Sequence, residues 1–182
     1  MKKIIWSFLF IVLVSSFVAF AGDWKVNNDK TQMSFKIKGP FGNVNGTVKN
    51  LTGSINFDET HLASSKIDVT ADATTIKTGN GMRDGHLKKE EWFNVAKFPT
   101  IHFVSQSFSK TSYGFVVTGT LTMKEVSKPL TFPFTFEQKN KSGTFKGSFV
   151  INRLDFGVGE KSFTTGNDVT VNLEVQTEMN EK

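Results

Sequence analysis

From residue 32 onward, segment after segment of the chain alternates apolar and polar positions with the period of a β-strand. In 32–38, Met33, Phe35 and Ile37 share one phase, and Ser34, Lys36 and Lys38 the other. Residues 66–73 align Ile67, Val69, Ala71 and Ala73, and 100–108 sets Ile101 and Phe103 against His102 and Val104. Phe115, Val117, Gly119, Leu121 and Met123 follow, then Leu130, Phe132, Phe134 and Phe136, then Phe145, Gly147, Phe149 and Ile151. Val169, Val171, Leu173 and Val175 end the series, and residues 23–26 read as a short first strand. In 44–57 the phase slips: Val44, Gly46 and Val48 share one face, Leu51, Gly53, Ile55 and Phe57 the other. The slip predicts either a β-bulge or two strands joined by a tight turn at Lys49-Asn50.

Turn residues separate these runs, at Gly39-Pro40-Phe41-Gly42, 109–112, Lys124-Glu125 and 140–143, with loops over 58–63 and 157–166. Many antiparallel strands with one apolar face each make a sandwich or a barrel. Convergence of all the apolar faces favours a closed barrel of about eight strands, with room inside for side chains or one ligand. Four glycines, Gly46, Gly53, Gly119 and Gly147, fall on the inward phase. They either relieve curvature at barrel corners or leave volume for a guest. Pro133 lies mid-strand on the outward phase. It has no N–H to give to a ladder, so an edge or a bulge is expected there, with the barrel unsealed on that side.

Residues 74–103 break the pattern. The Gly79-Asn80-Gly81 turn leads in and Pro99 stops any helix, which predicts a short helical crossover over about residues 82–95 that closes the barrel mouth. It carries Arg83, Asp84 and His86. On a helix Arg83 and His86 share a face. They form either a polar site for a ligand head group, or, with Asp84, a hydrogen-bonded anchor that fixes the crossover to the rim.

Composition sharpens this picture. The chain has 19 Phe and one Tyr. Phe fills apolar space without needing a hydrogen-bond partner, so the interior should be large, dry and aromatic-lined. Cysteine is absent, which excludes a lipid-modified N-terminal Cys, a disulfide framework, thiol catalysis and Cys-based metal sites. Lys2 and Lys3, an apolar run over 4–18 and the Ala19-Phe20-Ala21 site read as a signal peptide over residues 1–21, cleaved before Gly22. The domain is then 22–182, periplasmic or secreted, without a stable membrane span after cleavage. Setting aside Lys2 and Lys3, 20 basic residues face 17 acidic ones, dispersed along the chain. That balance does not suit nucleic acid.

The chemistry-bearing residues form no catalytic pattern. His61, His86 and His102 show no i, i+4 pairing and no H-E-x-x-H, and no G-x-S-x-G occurs. In the stretch from Gly79 to Gly85 the third glycine comes one residue late for a dinucleotide fingerprint. Glu90-Glu91 reads as a solvated helix end. No catalytic residue, metal or cofactor is expected.

Ordered motifs along the chain also carry a family resemblance: D-W-K-V-N, S-F-K-I-K and G-T-V-K-N-L-T-G-S-I-N-F-D near the start, then T-x-x-x-x-R-D-x-H-L-K-K-E-E-W-F-N-V-A-K-F-P-T-I-H-F over 78–103. G-T-L-T-M, K-P-L-T-F and N-R-L-D-F-G-V follow. In order and spacing the chain resembles the YceI-like family of secreted lipocalin-like proteins. The resemblance implies an eight-stranded antiparallel barrel around an elongated apolar tunnel, and a polyisoprenoid or similar long-chain amphiphile as guest. Val48 stands where the family commonly has an aromatic, and Glu125 where a turn glycine is usual. The residues expected to line the tunnel are Phe35, Ile37, Ile55, Phe57, Val69, Ile101, Phe103, Val117, Gly119, Leu121, Phe132, Phe134, Phe136, Phe145, Gly147 and Phe149. Arg83, Asp84 and His86 are expected at the rim. Two other functions stay open: a filled barrel acting as an interaction or stress-response protein, and an enzyme working on a lipid head group through His86 or His102. A homodimer is compatible with each.

Overall fold

The computed structural model describes residues 22–180; the signal-peptide reading of 1–21 lies outside them. Nine antiparallel strands follow one another: β1 (Gly22–Val26), β2 (Gln32–Gly39), β3 (Gly42–Phe57), β4 (Lys66–Lys77), β5 (Thr100–Thr111), β6 (Gly114–Met123), β7 (Val126–Lys139), β8 (Ser142–Asn152) and β9 (Asp168–Met179). A helix, α1 (Gly81–Leu87), stands between β4 and β5. The sheet closes through β3–β4 pairing into a ring of β3, β2, β9, β8, β7, β6, β5 and β4. The ninth strand adds no lane. β1 pairs the end of β3 (Trp24↔Ile55) and the end of β9 (Trp24↔Met179), where β2 has not yet begun. β1 and β2 thus share one lane of an eight-stranded barrel.

The phase slip in β3 is a bulge. Lys49 pairs with Asp72 and Thr52 with Thr70, so β3 holds one extra residue between them, with Asn50 at φ 59°. The displaced backbone finds other partners. The Leu51 N–H donates to Asn28 Oδ1 at 2.8 Å, and Asn28 Nδ2 donates back to the Leu51 carbonyl at 3.0 Å. The slip lets Val48 and Leu51 both face inward although they are three positions apart.

Pro133 marks a seam. β7 pairs with β6 through Val116↔Pro133, but its ladder with β8 starts only at Phe134↔Gly147. Residues 126–133 therefore leave β8, and a cleft lined by Pro129, Leu130, Val150, Ile151 and Phe156 opens between the two strands. Pro129 and Pro133 remove backbone donors along the exposed edge, which discourages strand addition there.

The crossover is less helical than its sequence suggests. α1 spans seven residues, capped by Asn80 Oδ1, which accepts from the Arg83 N–H at 3.1 Å. Beyond Leu87 the chain runs in turns, with Asn94 at φ 46°. Trp92 and Phe93 both pack on the core cluster beneath. Neighbouring residues on a helix point about 100° apart, so unwinding is what allows both rings inward.

Two apolar clusters divide the interior. At the end where β1 lies, Phe57 (1% exposed) sits edge-on to Phe115, Phe134, Phe136 and Phe145 at 5.1–5.6 Å. Trp24 seals this plug, and its Nε1–H donates to the Phe57 carbonyl at 3.1 Å. At the other end Leu121, Met123, Phe156 and Val158 pack under Trp92 and Phe93.

Candidate functional site

Between the two clusters lies an apolar cavity of about 600 Å³, within the roughly 300–1,000 Å³ range of small-molecule sites. Every lane of the barrel contributes side chains. β2 brings Phe35 and Ile37, β3 Ile55, β4 Val69, and β5 Ile101 and Phe103. Val117 and Leu121 come from β6, Phe132 and Phe134 from β7, and Phe145, Gly147 and Phe149 from β8. These are the side chains the alternation pointed inward. β9 adds Val169, Val171, Leu173 and Val175, and Val48 lies in the wall where an aromatic would narrow it.

Three expected lining residues stand elsewhere. Phe57 and Phe136 do not border the cavity; they belong to the aromatic plug that closes it, with ring centroids 5.1 Å apart. Gly119 is covered as well. A Cβ there would clash with the Val104 carbonyl and lie 2.6 Å from the Phe103 ring. The Phe35 ring covers Gly46 in the same way. These inward glycines are seats for cross-strand aromatic rings, not vacancies. Gly147 differs: it borders the cavity, and a Cβ would meet the Phe132 ring at 3.1 Å.

The cavity opens at the end away from the plug. Its rim is formed by Gly39 and Pro40 of the β2–β3 turn, by Thr78, Asn80, Met82, Arg83 and His86 of the crossover, and by Thr165 of the β8–β9 loop. Arg83 Nε donates to Thr78 Oγ1 at 2.7 Å and Nη2 to the Thr78 carbonyl at 3.0 Å. Asp84 accepts from the Thr78 N–H at 2.7 Å and from its hydroxyl at 2.6 Å. These bonds, the hydroxyl first, hold the Asp84 carboxyl below its ordinary pKa. Arg83 and Asp84 thus clasp one residue, Thr78, from both sides, and this anchors α1 to the end of β4. His86 is exposed at the rim. His102 does not reach the cavity; its Nε2 lies 2.8 Å from Asp68 Oδ1 on the neighbouring strand.

The residue that organises the mouth is Arg153, which residue-by-residue reasoning did not single out. It is 3% exposed. Nε donates to the Gly166 carbonyl at 2.9 Å, Nη1 to Val158 at 2.7 Å and Nη2 to Glu160 at 2.7 Å. Its guanidinium carbon stands 5.3 Å from the centre of the Trp92 ring. No carboxylate among the described residues pairs with it. Burial lowers its pKa, yet a guanidinium stays charged, so three carbonyl dipoles and an indole face carry the compensation. Hydrogen bonds to a charged group contribute about 1.5–3 kcal/mol each. With water recovering part of that at an open loop, Arg153→Met is expected to cost about 3 kcal/mol. Thermal unfolding checks the size, and limited proteolysis should show faster cutting within 157–166.

Lys124 adds a second tie: Nζ donates to the Glu90 carbonyl at 3.1 Å and to the Gly157 carbonyl at 2.7 Å. Its turn carries φ 47° at Lys124 and 69° at Glu125. Left-handed backbone at both positions explains why glycine suits the place of Glu125. Among the described residues no group of three or more His, Asp or Glu is placed to hold a metal ion.

Comparison with known proteins fits this geometry. The family model of the YceI-like domain matches residues 24–177. Protein YceI of Salmonella agona is 33% identical over 135 residues, 72% of this chain and 71% of that protein. Among solved structures, Burkholderia cenocepacia BcnA superposes with a TM-score of 0.78 at 25% identity, over 84% of this chain and 99% of that one. A polyisoprenoid binding domain from Saccharophagus degradans gives a TM-score of 0.66 at 12% identity, over 88% of this chain and 99% of that one, a likeness of fold alone. On the family match and these relatives, the chain belongs to the YceI-like domain family.

Proposed function

We propose that the protein is an exported carrier that holds one long-chain amphiphile, an isoprenoid first of all, in the barrel cavity. The observation that carries this reading is the cavity: about 600 Å³, apolar along its wall, closed by an aromatic plug and open at a polar rim. Such a shape fits a molecule with one long apolar end and one polar end. Each CH₂ of the tail contributes about 0.8 kcal/mol on burial. Ordering the tail offsets much of that, so selectivity rests on how well its length and girth match the wall. Family membership and a fold shared with a polyisoprenoid binding domain support a binding role over a catalytic one. Cleavage near Ala21-Gly22 would place the protein in the periplasm or outside the cell, and no helix among the described residues is long and apolar enough to cross a membrane.

The test is a chain-length series of prenols added to delipidated protein, read by melting temperature. The midpoint should rise with each added isoprene unit until the tail meets the plug, then level off. A flat response across the series, or an equal response to the polar head compound alone, would refute a tunnel that reads tail length.

A further inference from the structure

Five large apolar residues are exposed among those described, and three of them stand on segments that border the cavity mouth. Phe41, at the tip of the β2–β3 turn, is 102% exposed; Phe163, in the β8–β9 loop, is 109%; Met82, on α1, is 79%. The two loops are joined, since the Gly166 N–H donates to the Lys38 carbonyl at 2.8 Å. Pro40, Met82 and Thr165, beside or near these tips in the chain, border one opening. A fully exposed phenylalanine gains nothing in water, and here two stand on separate loops around one mouth.

Charge surrounds the tips. Lys38, Lys77 and Lys161 are exposed on the same segments, and no carboxylate among the described residues pairs with them. Of the acidic residues on these segments, Asp84 is turned onto Thr78, Glu160 stands beside Lys161, and Asp155 borders the cleft between β7 and β8. Exposed aromatic tips with unpaired lysines around them match the layered chemistry of a bilayer surface, apolar below and phosphate-bearing above. Among the described residues the opposite end of the barrel lacks this arrangement; Tyr113, 90% exposed in the β5–β6 turn, is the one large apolar tip described there.

We propose that the mouth docks on an anionic lipid bilayer. Phe41, Met82 and Phe163 enter the headgroup–acyl boundary while Lys38, Lys77 and Lys161 meet lipid phosphates. Docked in this way, the opening faces the bilayer directly, and an amphiphile passes between membrane and cavity without crossing water. The passage rests on the carrier reading; the docking does not.

The experiment is flotation of the folded protein with vesicles of phosphatidylcholine, with and without phosphatidylglycerol. Wild type should float with the phosphatidylglycerol vesicles, more weakly with phosphatidylcholine alone, and less as salt rises. Phe41→Ser combined with Phe163→Ser should lower partitioning about tenfold or more, because two ring insertions are lost. Tyr113→Ser, at the far end, should change nothing. Wild type that stays unbound, a double variant that floats like wild type, or an equal loss in Tyr113→Ser would each overturn the proposal. Uptake of a prenol from detergent micelles is measured in parallel. Uptake without flotation defeats docking and leaves the carrier reading standing. Flotation lost in the double variant, with no uptake by any variant, supports docking and defeats the carrier reading.

Discussion

Gly119→Leu is expected to destabilise the ligand-free barrel by about 3 kcal/mol, the upper part of the usual range for overpacking. The first atom added would clash with the Val104 carbonyl and approach the Phe103 ring to 2.6 Å. The ring could turn, but the carbonyl belongs to β5, which is held on both sides by Asp68↔Val104 and Val104↔Thr120. It cannot retreat without loosening two ladders. For a domain of this size such a loss lowers the melting temperature by about 10 °C. Scanning calorimetry on delipidated protein measures it. An unchanged midpoint would mean that Gly119 faces open volume and that the Phe103 ring does not cover it.

Gly147→Leu should do the opposite. Its Cβ meets the edge of the Phe132 ring at 3.1 Å, a side chain that can yield, and the rest of the isobutyl group projects into the cavity. Stability of the ligand-free protein should therefore stay near wild type. The guest should suffer instead. Four added carbons displace roughly as many methylene groups of a tail, a loss of about 3 kcal/mol, or about a hundredfold in affinity. Co-purified lipid per protein, compared with wild type at equal purity, is the readout. Wild-type lipid content in this variant would show that the tail does not run past β8.

The two glycines look alike in the sequence, both spaced between apolar residues on one phase of a strand. Alternation tells which face a residue takes, but not how far along the barrel axis it lies or which ring leans over it. For that reason the inward phases of β5 to β9 could be read from the pattern, whereas the depth of Phe57 and Phe136 could not. Both point inward, yet they meet at one end and fill it. The bulge in β3 left its mark as a broken phase, and Pro133 left its mark as a missing donor; each became a geometric feature at that place. Sharing of one lane by β1 and β2 left none, because it depends on where two distant strands end. Arg153 was visible only as part of the N-R-L-D-F-G-V motif. Its partners are carbonyls of a loop, which have no sequence signature, so its hold on Gly166, Val158 and Glu160 emerged only from the fold. The crossover was legible as an interruption, while its unwinding after Leu87 followed from two adjacent rings needing the same core.

Whether the cavity holds a lipid is decided by organic extraction and mass spectrometry of protein purified without detergent from its own host. About one long-chain amphiphile per barrel is expected, enriched in an isoprenoid mass series, and nearly absent from Gly147→Leu prepared in parallel. A wild-type protein that yields no such species would contradict a lipid site in the cavity, and the same species in equal amount from Gly147→Leu would contradict a tail that runs past β8.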